Sequence, residues 1–81
     1  MAKKSRKKYF RDDAFLKNLG LRIRQLRMEK KMSQEDLAFE YDYADFSQIN
    51  RIELGKVNFS VSYIRLIANA LDEPIASFFE F

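Results

Sequence analysis

A compact all-α bundle of five helices is the fold this sequence predicts. Three observations lead there. Apolar residues recur every three or four positions through most of the chain. No stretch alternates apolar and polar residues in the manner of a half-buried strand. Only two glycines and one proline interrupt 81 residues, so long loops are not expected. That length gives one domain with one modest core.

Each helix has its own signals. Asp13 is placed to cap the first, over residues 14–30. Phe15, Leu19, Ile23 and Leu26 form its apolar stripe, with Lys17, Arg22, Arg24 and Lys31 on the wet side. Ser33 opens the second helix. Asp36, three residues on, can reach back as its capping partner, although Glu or Gln is more usual there. Leu37, Ala38 and Tyr41 make its buried face. Residues 42–45 have turn chemistry, with two aspartates able to cap.

The third helix spans residues 46–54 and ends at Gly55. Ile49 and Ile52 are its buried side, while Ser47, Asn50, Arg51 and Leu54 fall together elsewhere. Ser60 caps a fourth helix over residues 61–71, with Ile64, Ile67, Ala68 and Leu71 on one face. Pro74 suits the first turn of a last short helix, residues 74–79.

Charge is uneven along the chain. Lys3, Lys4, Arg6, Lys7, Lys8 and Arg11 stand in the first eleven residues without an acid. The remainder holds nine basic and twelve acidic side chains, so the net charge of +3 comes from the start of the chain. Residues 1–11 therefore read as a flexible basic arm, and 12–81 as one domain. The arm is either a solvated terminus or a segment that follows DNA phosphates or a minor groove.

Composition also narrows the function. There is no cysteine and no histidine, which removes disulfides, thiol chemistry and an ordinary zinc site. No paired carboxylates mark a pocket, so enzyme activity, a cofactor and a small-molecule ligand are not expected. No apolar run approaches the ~20 residues of a membrane span. The basic start runs into Asp12-Asp13 rather than into an apolar stretch, so no secretory signal is expected. A cytoplasmic location follows as the expectation.

Three stretches, "LGLRIRQLRMEKKMSQEDLA", "QINRIELGKVN" and "SYIRLIANALDEPIASFFEF", stand in order and at near-correct spacing. Together they resemble the Cro/C1-type (XRE-like) helix-turn-helix family of bacterial and phage transcription regulators. The resemblance covers residues 16–81. It implies a lambda-repressor-like DNA-binding domain in which the second helix crosses the DNA backbone and the third enters the major groove. One departure stands out. The link from Ala38 to Ile49 is one residue longer than the family's compact form. It has no glycine for a positive φ, which leaves Asp42 as the candidate.

Several site residues follow from the resemblance. Ser47, Asn50 and Arg51 become base-reading residues: arginine forks onto guanine and asparagine pairs with adenine. Phe46 either rests on a thymine methyl or packs under the longer turn. Gln34, at the start of the second helix, and Lys56, Asn58 and Ser60, after the third, become phosphate contacts. Gln48 is a second-rank phosphate contact. A largely buried Arg27–Glu53 ion pair is also implied. Against DNA binding stand Glu35, Asp36, Glu40, Asp42 and Asp45, which cluster without a base among them.

The leading reading is a sequence-specific regulator that binds double-stranded DNA as a homodimer on a (pseudo)palindromic site. The alternative is a protein–protein adaptor or antitoxin-like module that masks a partner with its apolar C-terminus. Ile75, Phe78, Phe79 and Phe81 crowd the last seven residues. The domain has room for about two of them. Leu66, Ala70, Ile75, Phe79 and Phe81 therefore become the expected dimer interface.

Overall fold

A computed structural model of the chain describes residues 10–40 and 46–81. The basic residues of the arm before Phe10, and Tyr41, Asp42 and Asp45 of the longer turn, lie outside the described residues. Four α-helices and a terminal 3-10 helix follow in order: α1 Asp13–Glu29, α2 Gln34–Glu40, α3 Phe46–Glu53, α4 Val61–Leu71, then Ile75–Phe79. No strand occurs among the described residues.

Asp12, not Asp13, caps α1. Its backbone is extended and its carboxylate accepts the Phe15 N–H at 3.0 Å. Asp13 enters the first turn, where the helix dipole favours an acid. The buried stripe also shifts by one residue at its start. Leu16 is buried with Leu19, Ile23 and Leu26, and Phe15 is 42% exposed. Phe15 is about 100° round the helix from Leu16, enough to turn it off the core.

The capping box of α2 forms with aspartate in the place of glutamate. The Ser33 hydroxyl accepts the Asp36 N–H at 2.9 Å, and the Asp36 carboxylate accepts the Ser33 N–H at 2.9 Å. The Ser33 N–H foremost, and then the Ser33 hydroxyl, hold the Asp36 carboxyl below its usual 3.8 by bonding its ionised form.

Gly55 ends α3 at φ +74°. A β-carbon there would stand 2.6 Å from the Lys17 Cα, so glycine is needed for conformation and for space. Ser60 caps α4, accepting from the Tyr63 N–H, and Asp72 ends it in the left-handed region.

The last helix is a 3-10 turn rather than an α-helix. Pro74 stands before it as an extended cap. Five residues leave little room for i to i−4 bonding, and Ser77 N–H instead bonds the Pro74 carbonyl at 3.0 Å. This turn inserts Phe78, fully buried, beside Ile23, Ile67 and Leu71 in the one core. Arg22 fastens it, donating from Nε to the Ser77 carbonyl at 2.7 Å and from Nη2 to Glu80 at 3.2 Å.

Candidate nucleic-acid interface

α2 and α3 pack through Leu37 and Ala38 against Ile49 and Ile52. This packing leaves the other side of α3 outside. Arg51 is exposed there, Phe46 is 48% exposed, and Ser47, Gln48 and Asn50 are half-buried.

A polar chain runs beneath this face from α1. Arg27 and Glu53 are both buried. Arg27 donates from Nε to Glu53 Oε2 at 2.6 Å and from Nη2 to Oε1 at 3.0 Å. Its Nη1 donates to the Met32 carbonyl at 2.7 Å, between α1 and α2. The pair therefore sets the angle at which α3 leaves α1. Gln34 joins from α2, its Nε2 donating to Glu53 Oε1 at 3.0 Å and to Asn50 Oδ1 at 3.1 Å. The side-chain nitrogen of Gln34 thus points inward, toward α3.

On the outer face Arg51 Nη2 donates to Gln48 Oε1 at 2.7 Å, one turn earlier. Gln48 holds the guanidinium along the helix and leaves Arg51 with further donors.

The loop after α3 carries Lys56 and Asn58, both exposed, and then Ser60. The start of the domain is tied to it. Arg11 Nη2 donates to the Lys56 carbonyl at 2.9 Å while its Nε pairs with Asp13 at 2.6 Å. Asn58 Nδ2 donates to the Phe10 carbonyl at 3.2 Å. Ser60 Oγ accepts the Tyr63 N–H to cap α4 and keeps its own hydroxyl hydrogen to donate. Residues 10–11 therefore sit against the loop nominated for phosphate.

The residues nominated for a dimer interface divide between two surfaces. Phe79 and Phe81 are 40% and 58% exposed and gather around Phe15. Phe15 stacks on Phe79 with centroids 6.2 Å apart and meets Phe81 at 5.8 Å. With Phe10, Phe59, Val61 and Ile64, Phe15 and Phe79 line an apolar hollow of about 340 Å³. Leu66 and Ala70 stand elsewhere. Ala70 is nine residues from Val61, about half a turn round α4, and borders a hollow with Met32 and Phe39. Ile75 is half-buried against the core.

Three contributors were not singled out in the sequence as parts of the site. Phe15 joins the aromatic cluster because it lies just off the stripe. Arg11 anchors the arm to the loop. Gly20 permits the close crossing of α1 and α3: a β-carbon there would collide with the backbone carbonyls of Ile52 and Glu53. A lone glycine in the middle of an amphipathic helix was its signal.

Comparison with known proteins agrees with this geometry. The model of the Helix-turn-helix family matches residues 23–78. The restriction-modification controller protein C.AhdI from Aeromonas hydrophila is 39% identical, over 82% of this chain and 98% of its own, with a TM-score of 0.78. The wild-type restriction-modification controller protein C.Esp1396I is 32% identical over 85% of this chain and 87% of its own, TM-score 0.76. The same protein as a tetramer in complex with its natural 35 base-pair operator superposes with a TM-score of 0.76, at 32% identity over 85% of this chain and 90% of that one. No curated protein matches this chain. By family model, identity and geometry together, this chain belongs to the Cro/C1-type helix-turn-helix family of DNA-binding regulators.

Proposed function

We infer that this protein is a sequence-specific transcriptional regulator that binds double-stranded DNA as a homodimer. One observation carries the reading. The ion pair of Arg27 with Glu53 fixes α3 so that Phe46 and Arg51 face outward from the α2–α3 unit, with Ser47 and Asn50 half-buried beside them. An outward-facing second helix of such a unit fits the major groove. Lys56, Asn58, Ser60 and Gln48 flank it as phosphate contacts. Phe10 and Arg11 are held against that same loop, and the basic residues before them add cationic charge for phosphate binding.

Pairing through the aromatic end at Phe15, Phe79 and Phe81 supplies the two-fold axis that a palindromic site requires. No described helix is long and apolar enough to cross a membrane. The protein acts in the cytoplasm and without catalysis in this reading. Identity of 39% with one restriction-modification controller and 32% with another makes restriction and modification genes the first targets to test.

Selection of bound duplexes from random DNA tests the reading. A two-fold symmetric consensus with half-sites about one helical turn apart is expected. Weak binding without any consensus, at moderate salt, would refute it.

A further inference from the structure

The residues before α1 are tied to the loop after α3 by polar bonds more than by packing. Phe10 is 82% exposed, so its ring holds little. Arg11 is the fastening. Its Nη2 donates to the Lys56 carbonyl at 2.9 Å and to the Gly55 carbonyl at 3.4 Å. Asp13 steadies the same guanidinium through Nε at 2.6 Å. The closing bonds of α3 do not use these two carbonyls, because the N–H groups of Leu54, Gly55 and Lys56 turn back to Asn50, Ile52 and Arg51. A planar fork can hold a carboxylate and two carbonyls at once, which a single ammonium does not do in fixed geometry.

One residue earlier, the Phe10 carbonyl accepts from Asn58 Nδ2 at 3.2 Å. A backbone carbonyl only accepts, so the nitrogen of the Asn58 amide has to face it, without any choice of flip. One hydrogen of that nitrogen is spent there. The other remains for an acceptor such as a phosphate oxygen, on a side chain that is exposed. We propose that Arg11 is a positioning residue: by fastening Phe10 to the loop it aims the Asn58 amide at a DNA phosphate, without touching DNA itself. The proposal rests on Asn58 being a phosphate contact. The charge on Arg11 is already met by Asp13, so the pair adds no net cation to the surface.

The test uses the full chain and the duplex it selects. Arg11→Met with Asp13→Asn removes one charge of each sign and leaves the net charge as it is. Circular dichroism should stay helical, because the bonds of Arg11 reach no core side chain. By NMR without DNA, the side-chain amide signals of Asn58 should move toward those of a free amide. Affinity should fall by about tenfold for each half-site, the worth of one hydrogen bond to a charged group. The slope of log affinity against log salt should not change, since no phosphate loses a cation. Arg11→Lys, which keeps the charge and loses the fork, should shift affinity the same way, again at constant slope. Asn58→Ala should weaken the wild type by a similar factor and cost almost nothing more in the Arg11→Met variant. A merely structural role for Arg11 would leave the Asn58→Ala loss intact.

Three outcomes overturn the positioning role alone: an Asn58 amide that does not move in the Arg11→Met variant, losses from Arg11→Met and Asn58→Ala that simply add, or a salt slope that drops by about 0.9 for each half-site, which would make Arg11 the phosphate contact. Asn58→Ala without loss in the wild type removes the phosphate reading of Asn58, and the role of Arg11 falls with it.

Discussion

Arg27 and Glu53, 26 residues apart, meet in a two-pronged ion pair that almost no water reaches, with Nε to Oε2 at 2.6 Å. Such a pair contributes little net stability, because both charges have left water. Removing one partner is different. Glu53→Gln leaves the Arg27 guanidinium buried without a counter-charge, and the expected loss is ~3–5 kcal/mol. For a domain of this size that lowers the melting temperature by roughly 10 °C or more. Thermal unfolding followed by circular dichroism reads it. A drop of a degree or two would show that water reaches the pair. The double change Arg27→Met with Glu53→Leu should recover most of the loss, since neither charge remains.

Gly20 makes a second demand on the α1–α3 crossing. Alanine is ordinarily the better helix residue by ~1 kcal/mol. Here its methyl group would meet the carbonyls of Ile52 and Glu53, which are backbone and cannot swing aside. Gly20→Ala is therefore expected to destabilise, by roughly 1–3 kcal/mol, because α3 must move away. Denaturant unfolding measures the sign. A stabilised variant would mean that the helices separate at little cost.

Much of the fold was written in local chemistry. Ser33 with Asp36, Gly55, and Ser60 each announced a helix end, and each performs it. Apolar spacing found the buried faces of α3 and α4. Periodicity was weaker at edges, where one residue of rotation moves Phe15 from core to surface. It could not distinguish an α-turn from a 3-10 turn in the five residues Ile75–Phe79. The candidate site was less legible than the fold. Asn50 and Gln34 were assigned to DNA from family position, and only the three-dimensional contact reveals that they first bind each other. Side-chain partnerships across 16 residues leave no spacing signal in the chain.

Acid should loosen α2. The folded Asp36 carboxyl titrates below 3.8 because the Ser33 N–H, and then the Ser33 hydroxyl, bond its ionised form. Its contribution is thus complete above the ordinary aspartate range. It fades as pH falls through the depressed folded value. The wild type should be more stable than Asp36→Asn at pH 7, and the gap should close as pH falls below the ordinary aspartate value and through the depressed folded one. Urea unfolding of both proteins across pH 2.5–7 checks it. A gap that stays constant through that range would remove the carboxylate from the cap.

Arg51 and Lys56 should fail differently. Arg51 lies on the outer face of α3, steadied by Gln48, and is proposed to fork onto a base. Arg51→Ala is expected to lower affinity for the selected site by ~1–3 kcal/mol and to relax the preference at one base pair. Lys56→Ala should weaken every sequence alike and reduce the salt slope by about one. Binding titrations on the selected site and on variant sites distinguish them. Equal losses on all sequences for both variants would mean that α3 does not read bases.

The aromatic end is the proposed dimer surface. Phe78 fills the core completely, and that leaves Phe79 and Phe81 outside, stacked about Phe15 beside an apolar hollow. Three phenyl rings in one exposed cluster form a contiguous apolar surface of the kind that marks an interface. A second copy brings the same surface across a two-fold axis, and rings so placed dominate association when they leave water. Sedimentation at micromolar concentration should therefore show a dimer. Phe79→Ala with Phe81→Ala should shift it toward monomer while circular dichroism stays helical, because Phe78 still closes the core. Leu66→Ala, on the far side of α4 from Val61, should leave the dimer intact. DNA affinity should fall in the aromatic variant through loss of the paired half-site contact, with base preference in each half-site unchanged. A wild type that sediments as a monomer throughout that range ends the dimer reading. It would also reassign Phe15, Phe79 and Phe81 to intrachain packing alone.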